Sequence, residues 1–492
     1  MNRRLFAACW LTLATLAPGL SAVAAEPTPI AQSAEAALSR LAPAESHVGV
    51  SVVDVATGET LYEREARKLF APASLAKLAT SAAALSYLGA TRRFTTKLLI
   101  DGAATGGIVR GHLYLKGEGD PTLTVADLDT LAASLKSQGI KTITGDVAAD
   151  ASYFQTEGPG APGWPWDDLD ETYGAPTSAL TISGNVGTVT VTPTAPGQAA
   201  RVTARPMTGY LDLTNRATTA AAGAPPTLAL TAQRPSPWKE TWTLTGQVPA
   251  GGAPIELGRS VADPARLAAV AMKEALERQG IAVHGAVRLA SAPAAARAVA
   301  SHTSAPLAEL VHAMNKESNN LIAETLLLHL GVRGQGGPGN RDKGLRTLRA
   351  FLERNGFEPG AYRLEDGAGL SAYDALMPCQ LTALLRAMPA EAMAYPAYLI
   401  SLPVGGVDGT LATRFADPSV RGRLRAKTGT MSSVSGLAGY LVTDSGRTVA
   451  IAIMVNGFVG SAAKARALQE GLIQAIAQAD SAPVEPGPVL SP

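Results

Sequence analysis

The stretch Ala71-Pro-Ala-Ser-Leu-Ala-Lys-Leu78 sets a serine and a lysine three residues apart at the mouth of an apolar helix, and it governs how the rest of the chain is read. Residues i and i+3 share a helical face, so the Lys77 amine reaches the Ser74 hydroxyl when both lie in the first turn. An activated nucleophile needs that arrangement. The run Leu75 to Leu88 is rich in alanine and leucine and free of proline, and Gly89 follows where a helix would stop. A capping serine followed by a solvated lysine satisfies the same spacing, which recurs at Ser236-Pro-Trp-Lys239 and Ser461-Ala-Ala-Lys464. Context separates them. Ser236 precedes the alternating run Glu240-Thr-Trp-Thr-Leu-Thr245, which reads as a strand, and Ser461 opens the last helix with no second motif behind it.

The 492 residues exceed one ordinary domain, and 46% apolar with 17% charged content describes a soluble globular protein with ample core. A net charge of +1 gives no reason to expect nucleic acid or an anionic membrane surface as a partner. Residues 1–24 read as a secretory signal: Arg3 and Arg4, the apolar run Leu5 to Leu20, and the small-residue site Ala22-Val-Ala24. The apolar run is too short for a membrane span, so a periplasmic destination with no anchor in the mature chain is expected. Arg3-Arg4-Leu5-Phe6 is similar to a twin-arginine signal, but its flanks fit the general secretory route better. Once Cys9 leaves with the signal, Cys379 is the one cysteine left, and the scattered histidines hold no ligand spacing. Neither a disulfide nor a metal or other cofactor is expected.

Along the chain, a short helix over Ala34 to Leu41 and a hairpin over His47 to Glu63 precede the Ser74 helix. From Phe94 to about His302 the texture changes to short strands punctuated by glycine and proline, with helices at Ala126 to Gln138 and Pro264 to Gln279. The alanine-rich Ser291 to Ser301 reads as a linker. Helical periodicity returns from Ala305 through Met314 and from Asn320 to Leu330, with the polar corner Asn315-Lys-Glu-Ser-Asn319 between. Further helices are predicted at Asp342 to Arg354 and Gln380 to Met388. An apolar hairpin over Gly436 to Val455, a helix from Ala462 to Gln478 and a disordered tail over 481–492 complete the chain.

Two further motifs carry chemistry. Arg425-Ala-Lys-Thr-Gly-Thr430 holds the one K-T-G of the chain, immediately before the apolar hairpin and on a predicted edge strand. It offers a cation at Lys427, hydroxyls at Thr428 and Thr430, and at Gly429 a backbone that a ligand can approach closely. Ser318-Asn-Asn320, in the polar corner, offers a hydroxyl and an amide two residues apart. Taken alone, each has an ordinary structural explanation, a solvated edge strand for the first and helix capping for the second. The rival Ser183-Gly-Asn185 falls in a turn between strands.

In order, Ser74/Lys77, Ser318/Asn320 and Lys427-Thr-Gly429 form the trio of motifs that marks penicillin-binding proteins and serine β-lactamases. With Lys116-Gly-Glu-Gly-Asp-Pro-Thr-Leu123, Trp166-Asp-Asp168, Tyr173-Gly174, Met314-Asn-Lys-Glu-Ser-Asn-Asn320 and Asp366-Gly-Ala-Gly-Leu-Ser371, the sequence resembles the D-alanyl-D-alanine carboxypeptidase/endopeptidases of peptidase family S13, the class C low-molecular-mass penicillin-binding proteins. Ala368 and Ala372 depart from the serine and arginine that the family often carries in the Asp366 loop.

The resemblance implies an α+β fold, an antiparallel sheet flanked by helices, with two inserted β-rich domains in the long gap between Ser74 and Ser318. The expected catalytic domain comprises 26–95 and 302–480, an inserted domain 96–178 and 265–301, and a nested third domain 179–264. It also implies acyl transfer on peptidoglycan stem peptides ending in D-Ala-D-Ala, with Ser74 as nucleophile, Lys77 as its base, Ser318 as proton relay and Lys427 as cleft cation. Asn320 would bind the substrate amide. Thr428, Gly429 and Thr430 would receive the terminal carboxylate, and the backbone N–H groups of Ser74 and Thr430 would form the oxyanion hole. β-Lactam antibiotics would be covalent inhibitors, and endopeptidase action is possible on the same site. A serine β-lactamase and a non-catalytic scaffold of the same fold are the alternatives.

Overall fold

Strand His47–Asp54, near one end of the chain, pairs antiparallel with Thr448–Asn456, near the other, from His47 opposite Asn456 to Asp54 opposite Val449. This pairing closes the two ends of the sequence into one sheet. The computed structural model describes residues 28–43 and 45–480; the expected signal segment and the expected disordered tail lie outside them. The sheet has five strands in the order Thr60–Arg64, His47–Asp54, Thr448–Asn456, Val434–Val442, Leu424–Met431, every neighbouring pair antiparallel. Strand Leu424–Met431, which carries Lys427-Thr-Gly429, is an edge strand as predicted.

Alternation of side chains along the central strands gives the sheet two unlike faces. Ile451, Ile453 and Val455 point to one side, where helices Pro29–Leu41 and Ala463–Ala479 cover them. Ala450, Ala452 and Met454 point to the other, into a larger helical core. Small residues on this second face let the Ser74 segment approach closely: a Cβ on Gly436 would meet the Leu75 side chain at 2.7 Å.

Helix Ala76–Leu88 runs through the middle of that core with Ala76 to Leu85 all buried, so it has no amphipathic stripe to display. Gly89 ends it at φ 85°, a conformation that costs glycine no Cβ clash. Helices Leu307–Glu317, Asn320–Gln335 and Arg341–Arg354 pack around it. A helix at Tyr395–Ser401 was not predicted; it spans seven residues, too few for a periodic signal.

The inserted region enters on strand Thr95–Ile100 and leaves on Arg297–Thr303, and the two pair antiparallel. Most of the segment read as an alanine-rich linker is therefore an edge strand or its approach. Its backbone finds a ladder although its side chains lack the β-branched signature. Strands Leu113–Gly117, Val147–Asp150 and Val287–Leu289 extend that sheet. Helices Val125–Ser137 and Pro264–Arg278 pack against each other, and further small sheets lie between Val186 and Ser260. Ser236 and Lys239 face each other across the tight turn of a hairpin, so that rival motif shares no helical face. Among the described residues no helix is long and apolar enough to cross a membrane.

Candidate active site

The chain reaches Ser74 through a 3-10 turn, Ala73–Leu75, that leads into helix Ala76–Leu88. Ala73 is held at φ 46°, a left-handed conformation uncommon for alanine. The turn is pressed against the edge strand. A Cβ on Gly429 would come within 2.6 Å of the Pro72 carbonyl oxygen and 3.2 Å of the Ser74 amide nitrogen, so glycine is what permits the contact.

Lys77 is fully buried beneath Ser74. Its Nζ lies 2.9 Å from Ser74 Oγ, 2.6 Å from Asn320 Oδ1 and 2.6 Å from the Ala368 carbonyl oxygen. Two of these three neighbours are pure acceptors. A neutral amine has two N–H donors, so Asn320 Oδ1 and Ala368 O take both, and the lone pair is left facing the Ser74 hydroxyl. Burial lowers the Lys77 pKa to about 8, against the opposing pull of the carboxyl groups of Asp366, Glu324 and Asp374. The neutral amine is thus accessible near neutral pH. Burial rather than the Lys427 cation is the main lever on Lys77; the repulsion between the two lysines helps to hold Lys427 well below the usual lysine range, after burial.

Lys427 Nζ, also fully buried, donates to Ser318 Oγ at 2.9 Å and to the Thr428 carbonyl oxygen at 2.8 Å. Ser318 terminates helix Leu307–Glu317 at φ 61°, ψ 37°, and the amide of Asn319 donates to the Met314 carbonyl at 2.9 Å, which closes the helix end. The polar corner predicted from sequence is this left-handed cap. Lys316, two residues earlier, ties the corner down: its Nζ is 2.7 Å from both Asp408 carboxylate oxygens and 2.7 Å from the Leu402 carbonyl.

The predicted residues therefore converge: Ser74, Lys77 and Asn320 form one hydrogen-bonded group, and Ser318 and Lys427 another. Thr428 Oγ1 donates to Thr410 Oγ1 at 2.8 Å, which brings in a hydroxyl that the sequence did not single out. The Ala426 amide donates to the Pro403 carbonyl, away from the neighbouring strand Val434–Val442. Antiparallel alternation puts the Thr428 and Thr430 amides on that same open side, so the Thr430 N–H is free to face a ligand.

Glu324 and Thr80 were missed, and Asp366 entered only as part of a family motif with no role. Glu324 Oε1 accepts from the amides of Gly367 and Ala368 at 2.7 and 2.8 Å, and Asp366 accepts from the amides of Gly369, Leu370 and Ser371. Two buried carboxyl groups thus clasp the loop that presents Ala368 O to Lys77. Thr80 Oγ1 adds a bond to the Gly367 carbonyl at 2.7 Å. Burial and the Asp366 charge push Glu324 up to about 8 and Asp374 up to about 10. A lone acid among the apolar residues Leu321 to Leu330 was the available signal for Glu324. The alanine at 368 leaves the clasp untouched, since the carbonyl and the amide make the contacts.

Asn320 has both ends engaged: Nδ2 donates to the Tyr173 carbonyl at 2.9 Å. The second lone pair of its Oδ1 remains for a substrate N–H.

The sequence profile of the D-Ala-D-Ala carboxypeptidase 3 (S13) family matches residues 31–479. A D-alanyl-D-alanine carboxypeptidase of Actinomadura sp. (strain R39) is 40% identical over 428 residues, covering 84% of this chain and 78% of that protein. The D-alanyl-D-alanine carboxypeptidase DacB of Haemophilus influenzae is 27% identical, covering 89% of this chain and 91% of its own. The crystal structure of penicillin binding protein 4 (dacB) from that organism superposes with a TM-score of 0.80 at 27% identity, over 89% of this chain and 98% of the other. A second crystal structure of that protein, complexed with a β-lactam, gives a TM-score of 0.76 at 25% identity, over 90% of this chain and 99% of the other.

Proposed function

The chain belongs to the D-Ala-D-Ala carboxypeptidase 3 (S13) family, and from that membership and the geometry of the cleft we propose how it works as a serine-type D-Ala-D-Ala carboxypeptidase. Ser74 Oγ attacks the carbonyl carbon of the penultimate D-alanine while its proton passes to the lone pair of Lys77 Nζ. The negative charge that develops on the carbonyl oxygen is taken by the backbone N–H groups of Ser74 and Thr430. The C–N bond then breaks. Ser318 Oγ gives its proton to the departing D-alanine amine, and Lys427 Nζ, its hydrogen-bond donor, resupplies that proton. Water then enters and attacks the acyl-enzyme carbonyl, its proton returning through Ser318 to Lys427, and as the ester C–O bond breaks Lys77 gives its proton back to Ser74 Oγ.

The observation that carries this reading is the donor count at Lys77. Two acceptors that have no proton to give consume its N–H groups and aim the remaining lone pair at Ser74. Asn320 Oδ1 meets the substrate amide with its second lone pair. Lys427, Thr428 and Thr430, with Gly429 between them allowing close approach, receive the substrate's terminal carboxylate. A β-lactam presents an amide and a carboxylate in similar positions and would be trapped on Ser74. This is consistent with the β-lactam complex of the related Haemophilus protein.

We further propose that the substrate is a peptidoglycan stem peptide, that the same centre cleaves D,D-cross-links, and that export delivers the mature chain to the periplasm. The division into a catalytic domain (26–95 and 302–480), an inserted domain (96–178 and 265–301) and a nested domain (179–264) belongs to the same proposal. The β-lactamase and scaffold alternatives are not favoured: the relatives are named carboxypeptidases, and each member of the acyl-transfer group is present. Mass spectrometry of the protein after incubation with benzylpenicillin, beside Ser74→Ala, tests the centre. A lasting adduct on the Ser74 peptide alone supports the peptidase. Rapid drug turnover without an adduct points to a β-lactamase, and neither adduct nor turnover removes the acyl-enzyme altogether.

A further inference from the structure

One loop of the inserted region, 155–175, leaves its own strands and lies along the catalytic cleft. Beyond the bond from the Gln155 amide to the Gly339 carbonyl at 2.8 Å at its start, four hydrogen bonds strap it to the catalytic part of the chain. Trp164 Nε1 donates to Asp366 Oδ2 at 2.7 Å, Ser371 Oγ to the Pro162 carbonyl at 2.7 Å, the Ala372 amide to the Gly163 carbonyl at 2.9 Å, and an Arg341 guanidinium nitrogen to the Gly160 carbonyl at 3.0 Å. Further along the same loop, the Tyr173 carbonyl accepts from Asn320 Nδ2 at 2.9 Å.

These contacts fall on the two groups that orient Lys77. Asp366 holds three successive amides of the loop whose Ala368 carbonyl sits 2.6 Å from Lys77 Nζ, and the donors that reach its carboxylate from other parts of the chain are Trp164 and the protonated carboxyl of Asp374. The Tyr173 carbonyl fixes the other acceptor. With Nδ2 of Asn320 bound to Tyr173, the opposite end of the amide, Oδ1, is turned toward Lys77. A rotated Asn320 would place an N–H donor where Lys77 needs an acceptor, and the amine would lose its aim.

We propose that loop 155–175 is a positioning element of the catalytic centre, which through Trp164 and the Tyr173 carbonyl fixes both oxygen acceptors of Lys77 and so directs its lone pair at Ser74. The inserted region is then a working part of the acylation step as well as an appendage beside the cleft. The inference rests on the assignment of Lys77 as the base of Ser74.

The groups that face Lys77 besides Ser74 and Asn320 are the carboxyl groups of Asp366, Glu324 and Asp374 and the amine of Lys427. Trp164→Phe removes one donor and keeps the ring. Loosening of the Ala368 loop admits water to Nζ and weakens burial, the largest cause of the lowered Lys77 pKa. The second-order rate of acylation by benzylpenicillin should therefore fall about ten- to a hundredfold, the cost of a small misplacement at a reacting group. The acid limb of its pH profile should move upward from about 8. Ser371→Ala, which cuts the Pro162 strap together with the bond from the Tyr373 amide to the same hydroxyl, should show both changes at smaller size, and it carries the test if Trp164→Phe fails to fold. Trp166→Phe serves as the control, because that ring is 84% exposed and makes no hydrogen bond among the described residues. If the folded variants acylate at the wild-type rate with an unmoved profile, or if substrate KM rises while the profile stays put, the positioning role is wrong. The wild-type adduct on Ser74 is read first. Its absence overturns the assignment of the centre, whereas its presence with unchanged variants overturns this inference alone.

Discussion

Gly429 and Ser74 are in near contact: a Cβ on the glycine would stand 3.2 Å from the serine amide nitrogen. The proposed nucleophile and the strand expected to bind the substrate carboxylate are therefore held together by the absence of a side chain. Gly429→Ala should force the edge strand away from the Pro72 carbonyl, which the new methyl would meet at 2.6 Å. Overpacking of this kind costs about 1–3 kcal/mol. Displacing the Thr430 N–H from the developing oxyanion costs about a hundredfold or more in rate. Acylation kinetics with benzylpenicillin and a thermal melt check both; a variant as active as wild type would show that the strand contact is dispensable.

If Lys77 acts as a base, it acts as the neutral amine, so the rate should rise with pH and level off above about 8. Lys77→Arg keeps the charge and much of the length, but a guanidinium stays protonated at every working pH. Acylation should fall by about a thousandfold or more, with no recovery at high pH. A variant that retained substantial acylation would mean that Lys77 serves only as a fixed cation.

The half of the fold that carries Ser74 was legible because its signals are local and strong. The Ala-Leu run ending at Gly89 forms the helix Ala76–Leu88, and the apolar Gly436 to Val455 forms its hairpin. The site was legible through three short motifs whose residues meet only in space. Its supporting shell was not. Ala368 acts through a carbonyl, which carries no side-chain signature, and Tyr173 through another. Trp164 reaches Asp366 across 202 positions of sequence, a pairing that no periodicity encodes. Strand Arg297–Thr303 was read mostly as linker because its alanines pack little and its pairing is made by backbone.

Glu324 gives the fold a pH dependence with a definite sign. Its folded-state pKa of about 8 lies above the ordinary 4.5, so between these values the folded protein holds a proton that the unfolded chain has lost. Its contribution is complete below the unfolded value and is lost as pH rises through the folded one, by up to about 1.4 kcal/mol per pH unit. Both amides it binds meet Oε1, so Glu324→Gln keeps them and places an NH2 where the protonated oxygen stood. The variant should lose less stability than wild type between about pH 5 and pH 8. Asp374, raised to about 10 in the same sense, leaves a residual slope. Glu324 is charged only toward the upper end of that window, where its charge raises the Lys77 pKa, so the acid limb of activity should move down only slightly. Urea denaturation at a series of pH values reads the first effect. Parallel curves for the two proteins would show that Glu324 does not titrate in this window.

Ser318 separates the demands of the backbone from those of the chemistry. As the cap of helix Leu307–Glu317 it occupies φ 61°, ψ 37°, where glycine is at ease and a residue with a Cβ is strained by about 1 kcal/mol or more. Its hydroxyl is also the acceptor for Lys427 Nζ at 2.9 Å. Ser318→Gly and Ser318→Ala both remove that acceptor and leave the buried lysine with one described partner, the Thr428 carbonyl. Both should therefore lose turnover of a D-Ala-D-Ala peptide to the same degree, by about a hundredfold or more, as expected for a lost proton relay. Their stabilities should differ. The glycine variant, relieved of the Cβ, should be the more stable of the two by about 1 kcal/mol in urea denaturation, although its unfolded chain gains some freedom. Equal stabilities would mean that the cap carries no strain. A glycine variant that kept wild-type turnover would remove Ser318 from the proton path and leave Lys427 to protonate the leaving amine directly.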